Sequence, residues 1–220
     1  MRQTRKWSER QKGAAIVEFS LSLLFLVPLL LGTLVFGFRL IRNLEMEQIV
    51  RDIGHMYIRG VDFRNSGPQS NAATLAQGFD LSATGMSVLV ISQIKVIQQE
   101  DCDAANPGKP KGTLCTNLKN PVFTEQLMVG NTSLKINGVS VAKSAFGVPP
   151  LQSDKTVSDA DQANTATAAA GNTDAGTGFV KVIQLQPGEI AYLTEMLNAT
   201  PELSITGLTG MPQIYARSVF

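Results

Sequence analysis

The sequence has little with which to do chemistry. It holds a single histidine, His55, and two cysteines, Cys102 and Cys115. It contains no G-x-S-x-G, no H-E-x-x-H and no glycine-rich loop of the kind that cradles phosphate. His55 stands in a helical setting, where packing or surface exposure accounts for it better than catalysis. Nothing nominates a catalytic residue, a cofactor or a metal site, so the chain is expected not to be an enzyme. A surplus of charge is also missing: 19 basic side chains stand against 18 acidic ones, a net charge of +1. Without an excess positive field to attract phosphate, nucleic acid is not an expected partner.

Charge is absent in one place and dense beside it. Residues 19–38 carry none, whereas residues 1–12 carry Arg2, Arg5, Lys6, Arg10 and Lys12 against Glu9 alone. The apolar run from Ala14 to Phe38 is 25 residues long. As a helix rising about 1.5 Å per residue it reaches about 37 Å, enough to cross a hydrocarbon core of about 30 Å. Ser20, Ser22, Pro28, Gly32, Thr33 and Gly37 are all tolerated in membrane helices. Five basic residues precede the run and Arg39 and Arg42 follow it. This asymmetry places the N-terminus in the cytoplasm and residues 39–220 on the far side. A cleaved secretory signal competes, but it needs an apolar core of about 7–15 residues followed by small side chains. Here the far end reads LVFGFRLIR, with bulky Phe36, Phe38 and Leu40. A generic single-pass anchor is the other alternative.

Glu18 interrupts the apolar run five residues past Gly13. One reading makes it incidental, a carboxylate reaching back to the headgroups or to the basic leader. The other takes the pattern whole: basic leader, glycine, four small or aliphatic residues, glutamate, phenylalanine, then a long apolar helix. That pattern resembles the processing site of type IV pilins and pseudopilins. The resemblance implies that a membrane prepilin peptidase cuts between Gly13 and Ala14 on the cytoplasmic side and leaves the helix attached. Glu18 and Phe19 then become the fifth and sixth residues of the mature chain. Glycine suits such a site because a protease needs an unhindered backbone. Cutting also creates a positive α-amino group at Ala14. The resemblance implies that Glu18 of one subunit pairs with that group on its neighbour, and a buried charge is costly unless it is paired.

The segment GAAIVEFSLSLLFLVPLLLGTLVFG is similar to the TadE-like domain of minor pseudopilins in the Tad (Flp, type IVc) pilus machinery. Gly13, Val17, Glu18, Phe19, Pro28, Gly32 and Gly37 carry the likeness. The continuation EMEQIVRDIGHMYIRG and the C-terminal stretches QPGEIAYLTEML and IYARSVF extend it more loosely. Major Flp pilins are little more than the helix, whereas about 180 residues follow the membrane span here. That length implies a minor subunit. TadG-like relatives carry an Asp-x-Ser-x-Ser metal site, and SDKTVSDAD lacks that spacing, so the smaller TadE or TadF type is expected. The partners implied are the inner membrane, a prepilin peptidase, other pilin and pseudopilin subunits and the Tad secretion machinery.

Beyond Phe38, Met46, Ile49, Val50, Ile53, Met56 and Tyr57 recur at helical spacing. One helix is expected to run from the membrane to about Arg59, its apolar stripe covered by the domain that follows. Gly60 and the cluster Asn65-Ser66-Gly67-Pro68 mark its end, and a short helix is expected over 69–77. From Met86 the stretches SVLVISQIKVIQ, VFTEQLMVG, SLKING, FVKVIQL, EIAYLTEML and QIYARSV read as strands. The expected fold class is α+β: a long membrane-spanning helix, continued amphipathically and packed on a small, mainly antiparallel sheet. The domains are a leader over 1–13, the span over 14–38, the amphipathic extension over 39–63 and a periplasmic β-rich domain over 64–220. Residues 152–178 hold almost nothing bulky and apolar, and a mobile loop without helix is expected there. Outside the cytoplasm, Cys102 and Cys115 are expected to form a disulfide, with free thiols next and metal last, since two sulfurs do not fill a zinc shell. Closing that loop contributes about 3 kcal/mol. The acidic pair Glu100 and Asp101 beside it reads as solvated.

Three functions compete. The first is a minor pseudopilin that primes, tips or supports a Tad pilus, and with it surface attachment. The second is a membrane-anchored periplasmic binding module, with the glycine-to-glutamate pattern accidental. The third is a pseudopilin of a related secretion system.

Overall fold

A computed structural model describes residues 4–136, 138–165, 179, 182–200 and 213–220, with side chains from residue 13 onward. The chain divides into two compact units, Met1–Arg42 and Asn43–Phe220. Helix α1, Thr4–Ile58, is 55 residues long and supplies residues to both.

In the first unit most side chains from Gly13 to Phe38 are exposed. Phe19 is 64 % exposed, Phe25 68 %, Leu29 69 % and Phe36 70 %. Gly13–Ile58 contains a window of 18 residues with mean hydropathy 2.4, none of it buried. A helix apolar on every side and uncovered by protein is matched to lipid rather than water. It is long and apolar enough to cross a membrane. Pro28 sits inside it, and Thr33 Oγ1 donates to Leu30 O at 2.8 Å, so that hydroxyl is satisfied within the helix.

In the second unit the same helix becomes amphipathic. Met46, Ile49, Val50, Ile53 and Tyr57 are buried, each contributing about 1.5–3 kcal/mol on transfer from water. Their cover is helix α2, Ser66–Leu75, and one face of a sheet. Gly60, at φ 84°, ends the long helix in the left-handed turn that glycine accepts without a Cβ penalty.

The sheet has strands β1 (Ser87–Val96), β2 (Pro121–Gly130), β5 (Ile190–Ala199) and β6 (Gln213–Val219) in the order β2-β1-β5-β6. Every neighbouring pair is antiparallel. A separate hairpin pairs β3 (Lys135–Ile136) with β4 (Val139–Ser140). Because alternate side chains leave a strand on opposite faces, β1 divides cleanly. Leu89 and Ile91 join Leu127, Val129, Met196 and Ala216 under α1 and α2. Val88 and Val90 pack with Leu134, Ala142 and Ala199 on the other face. Further along that face Ile94, Phe123 and Leu193 meet Cys102, Phe146, Val157 and Phe179. The layout is α+β, as the hydropathy pattern predicts.

Three local expectations need correction. FVKVIQL forms no strand over its described residues, 179 and 182–185. Instead the Val182 and Ile183 amides donate to Phe179 O at 2.8 and 3.1 Å, and the Phe179 ring is buried as a plug on the second face. The expected mobile loop holds a helix, α4, Asp159–Asn164, in its described part; residues 166–178 lie outside the described residues. Ser158 caps that helix by accepting from Asp161 N at 3.2 Å, and Asp159 and Asp161 suit its positive end. Asp101 is not merely solvated. It pairs with Lys95 Nζ at 2.6 Å and accepts from Gln98 N at 3.1 Å, capping helix α3, Gln99–Ala105. The shorter helix expected over 69–77 is α2, starting a few residues earlier.

Candidate functional site

Gly13, Ala14, Glu18 and Phe19 all lie on α1 and all are exposed. A Cβ added at Gly13 meets no atom within 4 Å, so packing does not require a glycine there. Its position in a helix also means that a protease must unwind the backbone around it. Glycine, which weakens a helix by roughly 0.5–1 kcal/mol relative to alanine, makes that unwinding easier. No hydrogen bond or ion pair to Glu18 is found among the described residues, and Phe19 beside it is 64 % exposed. The helix therefore displays a carboxylate and an aromatic ring side by side, and no hydrogen bond or ion pair among the described residues uses the carboxylate.

Cys102 and Cys115 are joined by a disulfide. Cys102 is fully buried in the second-face core. The loop between them is braced by Asp103, whose Oδ1 accepts from Gly112 N at 2.9 Å, and by Gln99, whose Nε2 donates to Thr113 O at 3.0 Å. The His55 ring lies 4.7 Å from the Phe220 ring and tilted to it by 55°, beside Gly54, where any Cβ would collide with the Phe220 ring. The glycine is what lets β6 end against α1.

The second unit holds two polar constellations that sequence reading passed over. Glu125 on β2 is 9 % exposed and receives Arg64 through Nε at 3.1 Å and Nη2 at 2.9 Å, a two-pronged pairing. Burial first, and the Glu125 carboxylate second, raise the pKa of the neighbouring Tyr57 phenol above its ordinary value. On β5, Glu195 is 2 % exposed. Its Oε1 accepts from Tyr215 Oη at 2.6 Å and from Ala145 N at 3.0 Å. Burial nonetheless outweighs these bonds and holds its pKa above the usual carboxylate range. The Tyr215 phenol is raised too, by burial and then by Glu195. Beside this pair runs an open groove of about 380 Å³ lined by Val139, Val141, Lys143, Ala145, Leu197 and Tyr215, among others. An acid inside the apolar stretch YLTEML was the available signal. Its partners lie 20 and 50 residues away, beyond the reach of any local pattern.

No group of three or more potential metal-ligating side chains lies together among the described residues. No family model matches the chain, and no curated protein or solved structure matches it.

Proposed function

We propose that this chain is a minor pseudopilin of the TadE or TadF type, cut after Gly13 by a prepilin peptidase and contributing to assembly of a Tad pilus. One observation carries the reading: Gly13, Glu18 and Phe19 are exposed on one helix, Thr4–Ile58, that continues as a long apolar stretch with an unburied 18-residue window. Folding of the chain by itself explains neither the glycine nor the glutamate, whereas processing followed by helix-to-helix assembly explains both. The N-terminus is then cytoplasmic and the disulfide-bonded domain periplasmic, passing to the cell surface if the subunit enters a pilus.

Co-expression with a Tad prepilin peptidase tests the reading. Intact mass is expected to fall by residues 1–13, and a chain that keeps Met1–Gly13 under those conditions would falsify it. Gly13→Leu blocks cutting while leaving the fold unchanged by circular dichroism, because open space surrounds the position. Glu18→Ala leaves cutting intact and lowers pilus number, since the new amino terminus loses its partner.

A second reading, an anchored periplasmic binding module, draws support from the groove beside Tyr215. It predicts an uncut chain and a full pilus count when Glu18 is replaced.

A further inference from the structure

The two edges of the four-stranded sheet are finished differently. Along β2 the chain covers its own edge. Gln126 N donates to Lys155 O at 3.1 Å, Val157 N donates to Thr124 O at 2.8 Å, and Glu125 forms a bridge with Thr156. β6 has no such cover among the described residues. Its register shows which groups are free. Phe220 and Tyr192 exchange both backbone bonds at 2.9 Å, so by antiparallel alternation Ser218, Ala216 and Ile214 face β5 with their amides and carbonyls. Gln213, Tyr215, Arg217 and Val219 turn theirs outward. The strand contains no proline, glycine or lysine, and Arg217 is its one charged residue, so little along it discourages an added strand.

The side chains along this edge add a second feature. Tyr215, 37 % exposed, forms one wall of the groove, and its hydroxyl is held by Glu195. Val139, 64 % exposed, lines it as well, with Val141 and Ala145. Two residues along, the exposed Arg217 lies on the same face, its guanidinium 5.4 Å from the Phe146 ring centre. Lys143 lines the groove as a second cation, and no exposed carboxylate lines it.

We propose that β6 is a docking edge for an extended segment of a partner protein, apolar where it faces the groove and acidic where it faces Arg217. The segment adds a fifth strand to the sheet. Backbone bonds to Gln213, Tyr215, Arg217 and Val219 hold it, the groove accepts an apolar side chain, and Arg217 and Lys143 select for negative charge. This is strand addition with one specificity pocket and one charge filter. It is independent of whether residue 13 is a cleavage site.

The probe is a blocked heptapeptide of alternating threonine, whose other positions carry two valines and one glutamate, labelled and titrated against the full chain in detergent by fluorescence anisotropy. Binding is expected, with at least a tenfold loss when lysine replaces the glutamate, and no binding when alternate amides are N-methylated. Arg217→Pro removes one outward N–H without touching the β5 ladder, a substitution edge strands tolerate, and abolishes binding with an unchanged circular dichroism spectrum. Arg217→Glu reverses the preference between the glutamate and lysine probes. Absence of binding at millimolar peptide, or N-methylated peptide binding as well as its parent, overturns strand addition. Equal binding of the acidic and basic probes overturns the charge filter. The peptide arms use the unaltered chain, so a poorly folding variant leaves the outcome decidable.

Discussion

Glu18 and Glu195 each interrupt an apolar stretch, and their surroundings treat them in opposite ways. Glu18 stands exposed on a helix, while Glu195 is enclosed between β5, Tyr215 and the Ala145 amide. For Glu195 the sign of the pH effect follows from its raised pKa. Its folded value lies above its unfolded one, so the stability linked to its protonated form is complete below the unfolded pKa and lost as pH rises through the folded one. The melting temperature is therefore expected to rise when pH falls from 7 toward 5. Glu195→Gln is expected to raise it at pH 7 and flatten the slope, as differential scanning calorimetry in detergent can read. Asp80, Asp154 and Asp161, lowered by hydrogen bonds, have the opposite sign and act only at more acid pH. Arg64 supplies a complementary case. Removing it strands a nearly buried Glu125, so Arg64→Ala costs about 1–2 kcal/mol, kept small because the guanidinium is half exposed and screened. Adding Glu125→Gln restores most of that loss in urea titrations, because the uncompensated charge is gone.

At the scale of elements, periodicity was a reliable guide wherever one face of an element had to be buried. Met46, Ile49, Val50, Ile53 and Tyr57 form the stripe their spacing predicts, and β1, β2, β5 and β6 fall where β-branched runs occur. FVKVIQL has the same vocabulary and forms no strand over its described residues. Its Phe179 instead fills a space framed by Phe146, at 5.4 Å between ring centres. A short apolar run records only a demand for burial, and a plug meets that demand as well as a ladder does. Helix α4 was missed for the converse reason: a polar stretch hid a cap at Ser158 and one buried side chain, Ala163. The disulfide belongs to this scale as well. Cys102→Ala with Cys115→Ala is expected to remove about 3 kcal/mol through the looser unfolded chain, with a further loss from the cavity where Cys102 is packed. The unfolding midpoint in urea is the measurement, and dithiothreitol should reproduce most of the effect in the unaltered chain.

For the molecule as a whole, the first unit carries an apolar helical stretch with an unburied 18-residue window and the second is a disulfide-bonded α+β unit. Fractionated cells should retain the chain in membranes washed with alkaline carbonate. With chain expressed without a prepilin peptidase, protease added to spheroplasts should degrade residues 43–220, while in sealed inverted vesicles it should reach only residues 1–13. The reverse pattern of protection contradicts the positive-inside orientation. The sequence by itself determined the long apolar helix, the helical stripe and most strands, because each is written in spacing over neighbouring residues. It also placed two cysteines near enough along the chain to be joined. Only the tertiary structure decided which edge of the sheet is covered, that Glu125 meets Arg64 across 61 positions, and that Glu195 lies under Tyr215 beside a groove. Those relations depend on strand order and register, which bring distant residues together and leave no periodic mark in the chain.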